Sequence, residues 1–268
     1  MKRMIAALAL GALALPMAAL ADTQLTAVGS TALLPLVKQA ATRYQTAHSD
    51  VKISVSGGGS FVGIAQASSG AADLGDSDVV APGNAGLVDH KVAVVGFTIA
   101  VNPSAGVSNL KSSQIRDIFA GRITNWNQVG GKDQQIVVIN RPRTSGTRAV
   151  FNATIMGVSK IAEGGLTEDS SGAVVTMVAG TPGAVTYVSR SYVENKPVVA
   201  VKINGIEPNV ENIRSGKYPI WSYEHIFTKG KNNSAAEAFI SYVTNDKEDL
   251  EKLGYIAVSS MKVHETNR

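Results

Sequence analysis

Apolar positions along this chain change their period at regular intervals, and the changes predict alternating strands and helices. Leu25 to Val28 reads as a short strand ending in Gly29-Ser30-Thr31. Leu33, Leu34, Val37, Ala40, Ala41 and Tyr44 then recur at spacings of three and four, which is one face of a helix. Ser30 or Thr31 is its expected cap, and Pro35 falls where a first turn tolerates proline. Val51, Ile53 and Val55 alternate through a second strand, and Gly57-Gly58-Gly59-Ser60 leads into a helix carried by Phe61, Ile64, Ala65 and Ala67. Asp73-Leu74-Gly75-Asp76-Ser77-Asp78 is a third strand end, tight and acidic. Strand, helix, strand, helix, strand predicts a parallel sheet, whose ligands bind beyond the carboxyl ends of the strands. Ser30, Thr31, Ser60 and Asp78 then share one edge.

The second half repeats the theme after a long strand. Lys91 to Asn102 is apolar for longer than one sheet needs and stops at Pro103, so it can leave one domain and enter another. Asn109 to Ala120 predicts a helix, and Arg122 to Trp126 with Gly130-Gly131 a turn-rich connection. Val137 to Ile139 is a strand running into Asn140-Arg141-Pro142-Arg143-Thr144-Ser145-Gly146-Thr147, and Arg148 to Met156 is helix-forming. Ala173 to Ala179 fits a helix or a strand, while Gly183 to Ser189 and Val198 to Ile203 predict strands. Lys217 to Thr228 is a second long strand, the expected return crossing, and Ser234 to Leu253 a terminal helix ended by Gly254. The expected organisation is α/β: a discontinuous lobe I over 22–97 and 220–268, and an inserted lobe II over 98–219. Each lobe would be a mostly parallel sheet flanked by helices, with a two-strand hinge between them.

The N-terminus alters the picture of charge. Met1-Lys2-Arg3, an apolar run to Leu20 and small residues at Ala19 and Ala21 describe a secretory signal over 1–21. Its Pro16 and short length fit a membrane span poorly. No cysteine follows to carry a lipid anchor, so the expected protein starts at Asp22, in the periplasm or secreted. Without Lys2 and Arg3 the formal charge of +4 falls by two, too little to suggest nucleic acid. The absence of cysteine excludes disulfides and thiolate metal sites. His48, His90, His225 and His264 are scattered without metal-ligand spacing, and no cofactor is expected.

The knot at Ser145 has chemistry of its own. A strand, a tight turn and a helix start place hydroxyls and free backbone N–H groups beside a guanidinium, a combination suited to an oxyanion. Taken singly, Ser30, Ser60 and Ser145 are ordinary caps and Asp78 an ordinary turn residue. Gly29-Ser30-Thr31-Ala32, Gly57-Gly58-Gly59-Ser60, Asp73-x-Gly-x-Ser77-Asp78 and Arg141-x-x-x-Ser145-Gly146-Thr147, in that order, resemble the phosphate-binding components of bacterial ABC importers. Ile118 to Trp126 and Gly216-Lys217-Tyr218-Pro219 extend the resemblance over nearly the whole exported chain. It implies a two-lobed periplasmic-binding-protein fold of type II and hinge closure on orthophosphate. Thr31 with the Ala32 N–H, Ser60 as cap donor of the second helix, and Ser145, Gly146 and Thr147 would then be donors. Arg141, at the family's spacing of four from the serine, would be the cation rather than Arg143. Asp78 would accept a hydrogen bond from a protonated oxyanion, which phosphate is and sulfate is not. Thr144 stands where the family usually has glycine, and Arg143 where many members have an acid. The implied partners are inorganic phosphate and an inner-membrane ABC permease, with the binding protein itself a monomer.

Three other functions remain open on sequence. Sulfate or molybdate could replace phosphate, although Asp78 argues against both. The fold could serve an exported adhesive or sensory protein. A hydrolase would need G-x-S-x-G and a histidine base, whereas Ser145 sits in Arg-Thr-Ser-Gly-Thr and neither His225 nor His264 shows an orienting carboxylate. Gly57-Gly58-Gly59-Ser60 lacks the Gly-Lys end of a P-loop.

Overall fold

A computed structural model describes residues 23–230 and 233–263. The proposed signal segment and His264 lie outside them. The first strands and helices follow the alternating pattern: β1 (Thr23–Gly29), α1 (Leu34–Ala47), β2 (Val51–Ser56), α2 (Ser60–Ser69) and β3 (Leu74–Ser77). The long β4 (Val88–Val101) leads to β5 (Asn109–Leu110), α3 (Ser112–Phe119), β6 (Val137–Asn140), α4 (Gly146–Phe151), β7 (Leu166–Thr167), α5 (Ser171–Gly180), β8 (Ala184–Ser189), β9 (Val199–Ile203) and α6 (Val210–Arg214). The chain returns through β10 (Trp221–Thr228) and closes with α7 (Ser234–Asn245) and α8 (Lys247–Lys252).

The strands form one sheet in the order β2-β1-β3-β10-β4-β8-β6-β7, with β9 on β4 and β5 on β9. β1 pairs in parallel with β2 and β3, and β10 runs antiparallel between β3 and β4. β4 divides its partners along its length. Val88–Gly96 pairs with β10, and Phe97–Val101 pairs with β8 and β9. The Phe97 N–H donates to the Ile220 carbonyl at 2.9 Å, so the outgoing and returning crossings lie side by side. Ten consecutive residues of β4 from Val92 are buried, which explains why its alternation vanishes into a continuous apolar run.

Several sequence expectations shift, each for a local reason. The first helix begins at Leu34 after a turn, and neither Ser30 nor Thr31 is its cap; the Ser30 hydroxyl instead accepts from the Ala32 and Leu33 N–H groups at 3.0 and 3.2 Å. Ser60 does not cap α2, because Gly59 takes the N-cap position and Ser60 is the first helical residue. Asn109–Leu110 is not helical but pairs with β9, leaving α3 to start at Ser112. The helix after the Ser145 knot starts at Gly146, earlier than Arg148, and loosens to π geometry over Asn152–Met156. Residues 171–180 resolve to a helix, and β10 starts at Trp221 rather than Lys217. The terminal helix breaks at Asp246, which lies between α7 and α8.

Close backbone approach fixes how α2 sits on the sheet. A Cβ on Gly63 would lie 2.6 Å from both the Asp76 and Val28 carbonyl oxygens and 2.9 Å from the Gly29 Cα. These atoms belong to hydrogen-bonded strands and have little freedom to retreat. Gly63→Ala is therefore expected to destabilise the fold by about 1–3 kcal/mol, as overpacked cores do. Denaturant titration should show a lower midpoint with an unchanged slope.

Candidate functional site

Three strand ends of the first half converge on Asp78. The Ser30 hydroxyl, which follows β1, donates to Asp78 Oδ1 while accepting the two turn N–H groups. The Ser60 hydroxyl, at the start of α2, accepts from the Asp78 N–H at 2.9 Å. All three residues are buried. Asp78 is therefore held at both its backbone and its side chain by small residues at helix or turn starts.

The second edge is built by β6 and α4. β6 ends at Asn140, whose side chain accepts from the Arg141 N–H at 2.9 Å and from the Tyr187 hydroxyl. The Ser145 hydroxyl accepts from the Arg148 N–H at 3.2 Å and caps α4, which leaves the Gly146 and Thr147 N–H groups in a first turn without intrahelical acceptors. Phe119, Phe151 and Tyr187 stack behind this turn, Phe151 lying 4.2 Å from Tyr187. Their packing anchors α4 to α3 and β8.

The two edges touch. Thr147 Oγ1 donates to Asp78 Oδ2 at 2.7 Å, and Arg141 Nη2 donates to Thr31 Oγ1 at 3.1 Å. The Phe61 N–H donates to the Thr144 carbonyl at 3.2 Å. A Cβ on Gly146 would lie 2.1 Å from Ser60 Oγ and 2.9 Å from Asp78 Cβ, so only glycine allows this approach. The structure thus gathers Thr31, Ser60, Asp78, Arg141, Gly146 and Thr147 into one buried cluster. Ala32 lines it through its backbone and Ser145 supports it from the α4 cap. Arg143 and Thr144 are exposed at the rim.

Arg141 is only 1% exposed, and each of its three guanidinium nitrogens donates. Its Nε donates to the Glu168 carbonyl and its Nη2 to the Asp169 carbonyl, both at 3.1 Å. Ser171 Oγ receives Nη1 at 3.4 Å and lies 3.1 Å from Thr31 Oγ1. Burial lowers the proton affinity of this guanidinium, and the nearby Asp78 charge opposes that effect. Arg141 and Asp78 therefore belong to one electrostatic unit.

Sequence reasoning missed four contributors. Ser171 comes from the start of α5, and Tyr192 donates its hydroxyl to the Thr31 carbonyl at 2.8 Å. Asp76 and Glu224 are fully buried beside Asp78, and burial first and neighbouring acids second push both well above the usual carboxyl range. An acid within the apolar run of β10 was a readable signal for Glu224, whereas Ser171 and Tyr192 follow no motif. His225 also needs correction: its Nδ1 lies 2.7 Å from Asp89 Oδ1, so it does have an orienting carboxylate. It stacks on Phe227 with ring centroids 5.5 Å apart, on the opposite face of β10 from its neighbour Glu224. His225 Nε2 has no hydrogen-bond partner among the described residues, so it is not bonded to Ser145.

Comparison with known proteins gives consistent neighbours. A family model described as a PBP superfamily domain matches residues 17–247. The chain is 44% identical over 253 residues to a phosphate-binding protein PstS of Bacillus subtilis, covering 91% of this chain and 83% of that one. It is similar in structure, with a TM-score of 0.84 and 30% identity, to a phosphate ABC transporter substrate-binding protein of Clostridium perfringens solved with bound phosphate; the match covers 88% of this chain and all of that one. An ABC-type phosphate transport receptor of Vibrio cholerae superposes with a TM-score of 0.71 at 30% identity, over 87% of this chain and 99% of that one.

Burial around the cluster carries a pH signature. Tyr187 and Tyr192 are each pushed up to about 12 by burial, against the opposing charges of Arg148 and Arg141 respectively. Below the unfolded tyrosine value near 10 both stay protonated in either state, and their titration adds no pH dependence to stability. Above it the unfolded chain ionises first, and each tyrosine should cost up to about 1.4 kcal/mol per pH unit until the folded value is reached. Denaturant midpoints measured upward from about pH 10 should fall accordingly, and Tyr187→Phe should remove one share of the slope.

Proposed function

This chain belongs to the PBP superfamily, and from that premise we propose that it captures inorganic phosphate outside the cytoplasmic membrane and delivers it to an ABC-type permease. The observation that carries the reading is Asp78, a buried carboxylate set among hydroxyl and N–H donors and within the field of Arg141. A site for a fully deprotonated anion gains nothing from a carboxylate. Phosphate near neutral pH still bears hydroxyl hydrogens and can donate to it, whereas sulfate meets only repulsion. Hydrogen bonds to charged groups contribute about 1.5–3 kcal/mol, so one mismatched acid accounts for one to two factors of ten in selectivity. Relatives that are phosphate-binding and phosphate ABC transport proteins support the same ligand and the same class of transporter.

Thr31, Ala32, Ser60 and Asp78 are the proposed ligand edge of lobe I, and Arg141, Ser145, Gly146 and Thr147 that of lobe II. The lobes would be 22–97 with 220–268, and 98–219, hinged where β4 and β10 cross. Phosphate bridging the two edges stabilises the closed arrangement by its extra contacts there, and the closed surface is what a permease recognises. The charged and apolar N-terminus supports export by a cleaved signal, and among the described residues no helix is long and apolar enough to cross a membrane. The protein acts as a monomeric carrier without catalysis, a reading supported by relatives that are named binding proteins.

Titration calorimetry with phosphate, sulfate and molybdate tests the assignment. Phosphate should bind at one site and the other two much more weakly; a protein that ignores phosphate sinks the reading. Asp78→Asn should narrow the phosphate-to-sulfate affinity ratio by about tenfold or more. Gly146→Ala places a methyl group where Ser60 must come, and should abolish high-affinity binding while leaving the circular dichroism spectrum intact.

A further inference from the structure

A basic cavity adjoins the oxyanion cluster. Arg143, Arg148 and Lys160 line one space of about 620 Å³, together with Asn140, Asn152 and Glu163. Glu163 is the one acid in that lining. No ion pair joins any of the three cations to an acid among the described residues. A single exposed arginine or lysine is ordinarily just solvated. Three cations against one acid around a hollow are a different case, because low-dielectric walls focus the field into the opening and concentrate counter-ions there.

The cavity and the cluster share a wall. Asn140 lines the cavity, and its side chain receives the N–H of Arg141, whose guanidinium reaches into the cluster. Arg148 donates Nη1 to the Arg141 carbonyl, so its side chain lies against the same strand end. Arg143 precedes Thr144, whose carbonyl takes the Phe61 N–H across the seam between the two edges. The far wall is the segment after α4. There the Ser159 N–H donates to the Met156 carbonyl at 3.0 Å and the Ala162 N–H to the Phe119 carbonyl at 2.8 Å, which ties the backbone down on both sides of Lys160. Arg143 and Lys160 themselves are exposed and can meet an arriving solute.

We propose that this cavity is an outer collecting site for small oxyanions, which gathers them beside the seam before one enters the inner cluster. This rests on the phosphate reading above and deepens it. Arg143, Arg148 and Lys160 supply the charge and the N–H donors. The lining holds no buried carboxylate comparable with Asp78, since Glu163 is exposed. The outer site therefore takes phosphate and sulfate alike, and selection is left to the inner cluster. Its contribution is kinetic: a raised local concentration of anions speeds capture and leaves release unchanged. Arg143, which stands where many members of the family carry an acid, then marks a chain that gathers anions at its rim.

Arg143→Gln combined with Lys160→Gln removes the two exposed charges and leaves Arg148 on the Arg141 carbonyl. Phosphate association would be followed by stopped flow in sodium chloride at about 10 mM and about 1 M, where charges act over about 30 Å and about 3 Å. At low salt the double variant should associate about fivefold more slowly than the wild type, within the reach of electrostatic steering, and at high salt the two should coincide. Release rates and the phosphate-to-sulfate affinity ratio should stay as they were. Glu163→Gln should act in the opposite sense and speed association at low salt. Nuclear magnetic resonance tests the cavity apart from the inner cluster. In Gly146→Ala, with the inner cluster blocked, phosphate and sulfate alike should shift the Asn152 and Lys160 amide signals, and adding the double substitution should abolish those shifts. Equal low-salt association rates in the wild type and the double variant, or a change confined to release, overturn the proposal. So does the absence of the amide shifts, or their survival of the double substitution. A wild type that binds no phosphate at the inner cluster while the outer shifts persist would instead remove the underlying assignment and leave the collecting cavity in place.

Discussion

A guanidinium with almost no access to water governs how this molecule is assembled around its cleft. Burying the charge of Arg141 is tolerable because each of its three nitrogens finds an acceptor, among the Glu168 and Asp169 carbonyls and the Thr31 and Ser171 hydroxyls. Those acceptors come from two separated stretches of chain. The segment running into α5 and the turn after β1 must both be in place before Arg141 is satisfied. Asp78 answers the same charge from the opposite edge, and its own hydroxyl donors bring in Ser30 and Thr147. One buried cation therefore couples the ends of strands that no local interaction would hold together.

The cleft also shows how small residues do the work of closeness. Ser30, Ser60 and Ser145 sit at the beginnings of turns or helices, where their hydroxyls reach backbone N–H groups without bulk. Gly146 extends this logic to contact between the edges, since any side chain would strike Ser60. Behind this layer of small groups stand large rings, Phe119, Phe151 and Tyr187 on one side and Tyr255 on the other. The Tyr255 hydroxyl donates to the Ala32 carbonyl and ties the C-terminal segment to the turn after β1. Fine positioning at the surface of the cleft rests on bulky packing one layer down.

Much of this was readable before any coordinates. The strand-end motifs at Ser30, Ser60, Asp78 and Arg141 announce themselves because apolar alternation stops abruptly at each. Helix starts were less legible, since a period of three and four locates a face and leaves the first residue open. Ser30 or Thr31 and Ser60 suit the cap positions by residue type, although Leu33 and Gly59 occupy them. The break at Asp246 was hidden because α7 and α8 share apolar spacing across it. Ser171 and Tyr192 reach the site by tertiary proximity alone. Glu224 was visible as an acid in a wholly buried strand, yet only the sheet order places it beside Asp78, more than a hundred residues earlier.

The position of β10 has a bearing on how the chain folds. This strand fills a central slot, between β3 and β4, yet it is the last strand to be synthesised. Until residue 221 is available the sheet has a gap in its middle, with two apolar strand edges facing one another across it. Closing that gap requires a contact of long sequence separation, which slows folding. The nascent chain therefore cannot complete its native sheet until nearly the whole polypeptide has emerged.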